Sequence, residues 1–264
     1  MANKQGIINI ETATRAEVDE KIAVMRECGK IHGQLMRDLK EYVKPGMTGK
    51  EIDAWVRAEI VKRGAKVAYD MLEEEFPGAI CISVNDQLVH GAPTDEPLEE
   101  GDKVSFDLDI YYKGYFTDSA FTMLVGGKGS PAVKKMIDVT EASMWEGIKQ
   151  VKPGAHIGNI GSAVEKVLRK GHLGVIENYI GHGIGKSMHE LPEVPNYGKK
   201  GHGYKLVEGD TICVEPMSCL GKPANYVDKD DNWTVKMKDG SIGCHCEHTV
   251  LVTKDGYEIL TLPD

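Results

Sequence analysis

The tetrapeptide Val-Lys-Pro-Gly occurs twice, at 43–46 and 151–154, an offset of 108 residues. At the same offset Met36 falls on Met144, Ile52 on Ile160 and Val56 on Val164. Pro-Gly is common where helices end, so the tetrapeptide alone could be coincidence. Concordant apolar positions on both sides of it are harder to dismiss. Both copies read as helix, break, helix, then strands. Thr14-Arg15-Ala16-Glu17 and Thr48-Gly49-Lys50-Glu51 have the form of capping boxes. The first precedes an apolar series at helical spacing, Val18, Ile22, Met25, Ile31, Leu35 and Leu39. Ser130-Pro131 predicts the start of a third helix running to about Val151. The expectation is an α/β (α+β) chain of two pseudo-symmetric halves, about 14–125 and 126–264, in one domain spanning 1–264, with no low-complexity linker between them.

The chain's 264 residues, 41% hydrophobic and 28% charged, suit an ordinary globular protein. A net charge of −9 argues against nucleic acid or an anionic membrane as partner. No apolar run is long enough to span a bilayer. The opening stretch "MANKQGIINIETATRAE" lacks the apolar core of a signal peptide, so a cytoplasmic location is expected. The six cysteines, Cys28, Cys81, Cys213, Cys219, Cys244 and Cys246, form no disulfide framework and read as reduced thiols. Cys244-His245-Cys246 with His248 resembles half a zinc site, but no second half exists in the sequence.

Chemistry enters with acids on strands. "DKVSFDLDIY" (102–111) alternates: Val104, Phe106, Leu108 and Ile110 face one way, Ser105, Asp107, Asp109 and Tyr111 the other. A turn at Lys113-Gly114 returns the chain in "YFTDSAFTM", carrying Asp118. Strand parity cannot choose between Asp107 and Asp109. A turn of three or more residues would leave their register with Asp118 open. In the second half, "TICVEPM" (211–217) and "HCEHTVLVT" (245–253) read as apolar strands bearing Glu215 and Glu247. A solvated polar face is the plain reading of the hairpin. A glutamate among Ile212, Cys213, Val214 and Met217, however, is costly to bury without a compensating positive charge, and no lysine or arginine is close in sequence. "GHGIGKSMHE" (181–190) adds His182 between glycines and His189 seven residues on. It is not a dinucleotide fingerprint, because Met188 stands where the third glycine would be. Two Asp, two Glu and one His form an oxygen-rich set with one nitrogen, suited to manganese, iron, cobalt or zinc. Five such ligands exceed one tetrahedral ion and fit a pair of divalent metal ions sharing an activated water.

The order His90 (in "VNDQLVHGAP"), Asp107, Asp118, His182, His189, Glu215 (in "VEPM") and Glu247 (in "CEHT") resembles type I methionine aminopeptidases, as do "GHGIGKSMHELPEVPNYG" and "NWTVKMKDGS". The likeness runs from about residue 14 to the end. It implies the pita-bread fold and removal of the initiator methionine from nascent chains and Met-starting peptides whose second residue is small. Asp107, Asp118, His182, Glu215 and Glu247 are implied metal ligands, Asp118 and Glu247 bridging. The family's paired aspartates lie eleven apart, as Asp107 and Asp118 do, and that spacing alone names Asp107 over Asp109. Glu215 is implied to double as proton shuttle. His189 would bond the substrate carbonyl, and His90 would contact the scissile amide nitrogen. Phe76, Cys81, Met188 and Trp233 match the methionine pocket. "YDMLEEEFPG" (69–78) departs from the family's pattern with its run of acids, and Cys246 replaces an aromatic residue. The family's role implies nascent polypeptides as partners, with the ribosome nearby and a monomeric enzyme.

Three rivals remain. Prolidases and Xaa-Pro aminopeptidases share the fold and metal set but usually carry an extra N-terminal domain. Type II methionine aminopeptidases carry a helical insertion that the 25 residues between His189 and Glu215 cannot hold. Non-catalytic pita-bread binding proteins generally lose ligands and run basic.

Overall fold

A computed structural model describes residues 14–263 apart from residue 74; residues 1–13, most of the stretch read above for a signal peptide, lie outside it. The first half opens with α1 (Arg15–Tyr42) and α2 (Gly49–Lys62). Both predicted capping boxes are formed: Thr14 and Thr48 accept from the amides of Glu17 and Glu51, whose carboxylates return to the threonine amides at 2.8 Å. Strands β1 (Lys66–Val67), β2 (Cys81–Val84), β3 (Gln87–Val89), β4 (Lys103–Tyr112) and β5 (Tyr115–Leu124) follow. The second half repeats the plan with α3 (Pro131–Ile148) and α4 (Ile157–Lys170). Ser130 caps α3 as expected, but the helix stops at Ile148, short of Val151. The remaining strands are β6 (Gly174–Val175), β7 (Gly181–Gly183), β8 (Glu190–Val194), β9 (Thr211–Val214), β10 (Met217–Cys219), β11 (Asn225–Val227), β12 (Val235–Met237), β13 (Gly243–His245), β14 (Glu247–Val252) and β15 (Tyr257–Ile259).

The sequence echo is physical. The glycines that close the two repeats, Gly46 and Gly154, both adopt left-handed backbone, with φ of 89° and 81°. Their amides donate to the carbonyls of Leu98 and Leu206, again 108 apart, at 2.7 Å each. The bridges Thr48–Pro97 and His156–Lys205 keep the offset. All three echoed pairs, from Met36 and Met144 to Val56 and Val164, are buried. Carried further, the same offset superposes Asp107 on Glu215.

Both halves feed one nine-stranded sheet, ordered β1-β4-β5-β14-β9-β7-β8, with β2 added to β4 and β15 to β14. Val104, Phe106, Leu108 and Ile110 of β4 pack into the core under α1 and α2. Ile212 and Val214 of β9, with Val250 and Val252 of β14, pack under α3 and α4. The helices therefore cover one face, and the alternate residues of the central strands project from the other.

Two expectations need correction. The β4–β5 turn has only two residues, Lys113 and Gly114, both left-handed at φ 48° and 97°, not three or more. That tight turn sets the register unambiguously: Asp109 lies opposite Asp118, and Asp107 opposite Ala120. Nor are 211–217 and 245–253 continuous strands. The first breaks at Glu215-Pro216, where the proline has no amide for the ladder, and the second at Cys246, directly before Glu247. Beyond the break β10 pairs with β13 in a separate three-stranded sheet, while β9 pairs with β14 in the large one.

Candidate metal centre

The central strands deliver their acids to one cavity. Asp107 comes from β4, Asp118 from β5, Glu215 from the β9–β10 break and Glu247 from the start of β14. His182, in the middle of β7, arrives from the far side. Its flanking glycines are needed for close approach to the neighbouring strands rather than to the site. A Cβ on Gly181 would stand 2.3 Å from the Cys213 carbonyl oxygen, and one on Gly183 2.3 Å from that of Leu191.

Side-chain clamps hold the backbone at these positions. The Thr249 hydroxyl accepts from the Asp118 amide at 3.0 Å and donates to the Asp118 carbonyl at 2.7 Å. The Thr122 hydroxyl does the same for His245, accepting at 3.3 Å and donating at 2.6 Å. The Asn196 amide donates to the Glu215 carbonyl at 3.1 Å.

His182 Nδ1 bonds its own strand's Gly183 carbonyl at 2.9 Å, which leaves Nε2 3.5 Å from Glu215 and 3.7 Å from Asp118. Burial, aided by nearby His189, pushes His182 down to about 3. The ring is thus neutral, with the Nε2 lone pair turned toward the carboxylates. Burial, then mutual repulsion, holds Asp118, Glu215 and Glu247 well above the usual carboxylate range, and burial raises Asp107. Among the described residues, the ion-pair contacts of these carboxylates come from His182 and His245 and not from lysine or arginine. Oδ1 of Asp107 and of Asp118 and Oε1 of Glu247 are buried with no hydrogen-bond partner. Packed, desolvated carboxylates with orphaned oxygens are a stable arrangement only around cations. The donor set fits divalent ions. Two groups of donors, Asp118–His182–Cys213–Glu247 and Asp107–His245–Glu247, each lie within 4.8 Å and share Glu247.

Ten of the eleven residues singled out from sequence line this cavity: the five above with His90, His189, Phe76, Met188 and Trp233. The His189 ring sits 4.4 Å from that of His182. His90, left-handed at φ 56°, packs edge-on to Tyr179 at 5.8 Å. The exception is Cys81, which is not part of the lining and stands behind Tyr69, its thiol 3.3 Å from the tyrosine hydroxyl.

Five further lining residues, Tyr69, Val89, Asp109, Met217 and His245, were not in that set. Tyr69 restores an aromatic wall, 4.5 Å from Phe76, which in turn meets Trp233 edge-on at 5.4 Å. The acids Glu73 and Glu75 that raised doubt there point to solvent. Asp109 joins Asp107 and Asp118 in a third acidic group. His245, noticed only as part of a thin zinc motif, is 2% exposed and faces Glu215, Glu247 and Asp107. Its signal was parity: it lies two residues from Glu247. His248 of the same motif turns instead to the helix side, 5.3 Å from the ring of Trp145.

Residues 23–254 match metallopeptidase family M24, and the chain belongs to that family. Within it the likeness is to methionine aminopeptidases. The chain is 38% identical to methionine aminopeptidase 1 of Bacillus subtilis over 242 residues, which is 91% of this chain and 96% of that one. The crystal structure of methionine aminopeptidase from Rickettsia prowazekii superposes with a TM-score of 0.89 at 36% identity, covering 92% of this chain and 98% of that one. Prolidase from Pyrococcus furiosus shares the fold, with a TM-score of 0.73 at 24% identity, but the chain spans only 64% of it. The fold is the pita-bread fold that these enzymes share, and the protein is a metal-dependent hydrolase.

Proposed function

We propose that this protein removes N-terminal methionine from peptides and nascent chains whose second residue is small, using two divalent ions held by Asp107, Asp118, His182, Glu215 and Glu247. The observation that carries the reading is the convergence of these donors, buried and without lysine or arginine, beside a slot walled by Phe76, Tyr69, Trp233, Met188 and Met217. An apolar slot of aromatic and thioether groups is what an unbranched, polarizable methionine side chain prefers. The full-length relatives named methionine aminopeptidase support the same substrate.

When bound, divalent ions supply Lewis-acid polarisation of the scissile carbonyl and acidify a water. The remaining work belongs to side chains. Glu215 accepts the proton that the attacking water loses and passes it to the departing amine. His189 donates to the carbonyl oxygen as it gains charge. His90 holds the scissile amide nitrogen. Tyr69 and the aromatic pair behind it keep bulk water from the slot. The protein works as a cytoplasmic monomer near the ribosome in this reading; no helix among the described residues is long and apolar enough to cross a membrane.

The test is release of methionine from Met-Ala-Ser against Met-Lys and Ala-Pro peptides, with several divalent ions. Methionine release confined to small second residues is expected. Preferential cleavage of Ala-Pro would move the protein to the prolidase side of the family.

A further inference from the structure

The site contains one imidazole more than the proposed reading uses. His245 closes β13, and its neighbours Cys244 and Cys246 turn into the helix-side core, so its ring is delivered to the cavity by strand alternation. Its backbone is pinned on both polar atoms by Thr122. The ring has little freedom to point elsewhere.

Both ring nitrogens are buried without a hydrogen-bond partner. Buried His32 and half-buried His248 are treated differently. His32 is held at both nitrogens, by Thr117 at 3.0 Å and Ser119 at 2.9 Å, and His248 Nδ1 by Thr261 at 2.9 Å. A neutral imidazole left with two orphaned nitrogens is costly. Around it, Nε2 lies 3.4 Å from Glu215 and 3.8 Å from Glu247, and Nδ1 3.9 Å from Asp107. The nearest of these contacts is longer than a sound hydrogen bond, and the others are well beyond one. They are the spacing of ligands around a common ion whose bonds are about 2.0–2.2 Å long. Asp107 Oδ1 and Glu247 Oε1 are orphaned in the same group.

We propose that His245 is a second imidazole ligand, completing with Asp107 and Glu247 an ion position distinct from the one served by His182 and Asp118. Each of the two ions then has one nitrogen donor, and Glu247 is common to both. Nε2, which faces both glutamates, is the donor atom. The consequence is selectivity. A position with an imidazole favours borderline ions such as zinc, cobalt or iron over magnesium and calcium, which an all-oxygen position would hold more readily. The inference rests on the proposed two-ion centre and adds a ligand to it.

X-ray absorption of the zinc-loaded full-length protein tests it directly, without any variant. Two zinc ions sharing His182 and His245 give about one imidazole per zinc, whereas His182 alone gives about half that. Calorimetric titration of zinc into wild type and His245→Gln provides the second reading. The variant is expected to bind one equivalent as before and the other at least about tenfold more weakly, and to show half the wild-type imidazole count per zinc when loaded with two zinc ions. Two equivalents of unchanged affinity and an unchanged imidazole count in His245→Gln would overturn the assignment of His245 while leaving the two-ion centre intact. Failure of the wild type to take up a second equivalent would overturn the centre itself, and this proposal with it.

Discussion

At the scale of single residues, two aspartates two positions apart share a face of β4, yet they are not equivalent. Asp109 lies directly across from Asp118, and both Asp107 and Asp109 carry an orphaned Oδ1. Only Asp107 also faces His245, at 3.9 Å, and belongs to the group containing Glu247. Asp107→Asn, which exchanges an anionic donor for an amide, should lose metal and nearly all activity. Asp109→Asn should keep its metal and lose roughly 10–100-fold in rate at most, as expected of a residue acting behind the ligands. Metal analysis of the purified variants decides, and metal loss in Asp109→Asn with retention in Asp107→Asn would reverse the assignment. His189→Ala makes a cleaner separation. It should retain both ions and lose on the order of 10²–10³ in kcat, the usual cost of one donor to a developing oxyanion. Metal loss in that variant would make His189 a ligand instead.

Among the elements, β7 is the most constrained, since it carries His182 while pressed between β8 and β9. Gly181→Ala places a Cβ 2.3 Å from the Cys213 carbonyl oxygen, a backbone atom that cannot swing aside. The substitution should destabilise the fold by about 1–3 kcal/mol, as overpacking does, and weaken metal binding by tilting His182. Urea unfolding and a metal titration measure the two effects; an unchanged midpoint would mean that β7 slides freely. The helix starts were legible because Thr14, Thr48 and Ser130 are local caps whose bonds close within three residues. The breaks in 211–217 and 245–253 were not, because each arises where a strand leaves the large sheet for a small one. That choice depends on which partner waits on the other side of Pro216.

For the molecule as a whole, folding concentrates like charges, so stability should depend on cations. Ions that bind only the folded chain at about 100 times their Kd contribute about 2.7 kcal/mol per site. In a chain of this size that raises Tm by several degrees per ion. Calorimetry in EDTA against cobalt should show the rise, and an unchanged Tm would count against a metal centre. A second charge is buried away from the site. Lys103 is 0% exposed and donates to the carbonyls of Ser83 and Gln87 at 3.1 and 3.0 Å. Burial pushes its ammonium down from 10.5 to about 8. Between those values the unfolded chain holds a proton that the folded chain has released, so this group makes stability rise with pH across that window. Lys103→Met should flatten that part of the pH profile in urea unfolding. An identical slope in the variant would show that the ammonium is not strained by burial.

The internal repeat, the helix caps, the alternation of β4 and the eleven-residue pairing of Asp107 with Asp118 are statements about neighbours in the chain. The first three could be read from the sequence alone and the fourth through the family resemblance; with the motifs that carry that resemblance they pointed to the fold and to eleven site residues, ten of which line the cavity. Tertiary structure decided what depends on residues far apart. The two-residue turn set Asp109 against Asp118, Tyr69 replaced the missing pocket wall, Cys81 fell one layer behind it, and His245 entered the carboxylate cluster. In each case the outcome rests on which strand a residue is packed against. Side-chain direction is local to a strand, whereas the company a side chain keeps is set only when strands from both halves meet.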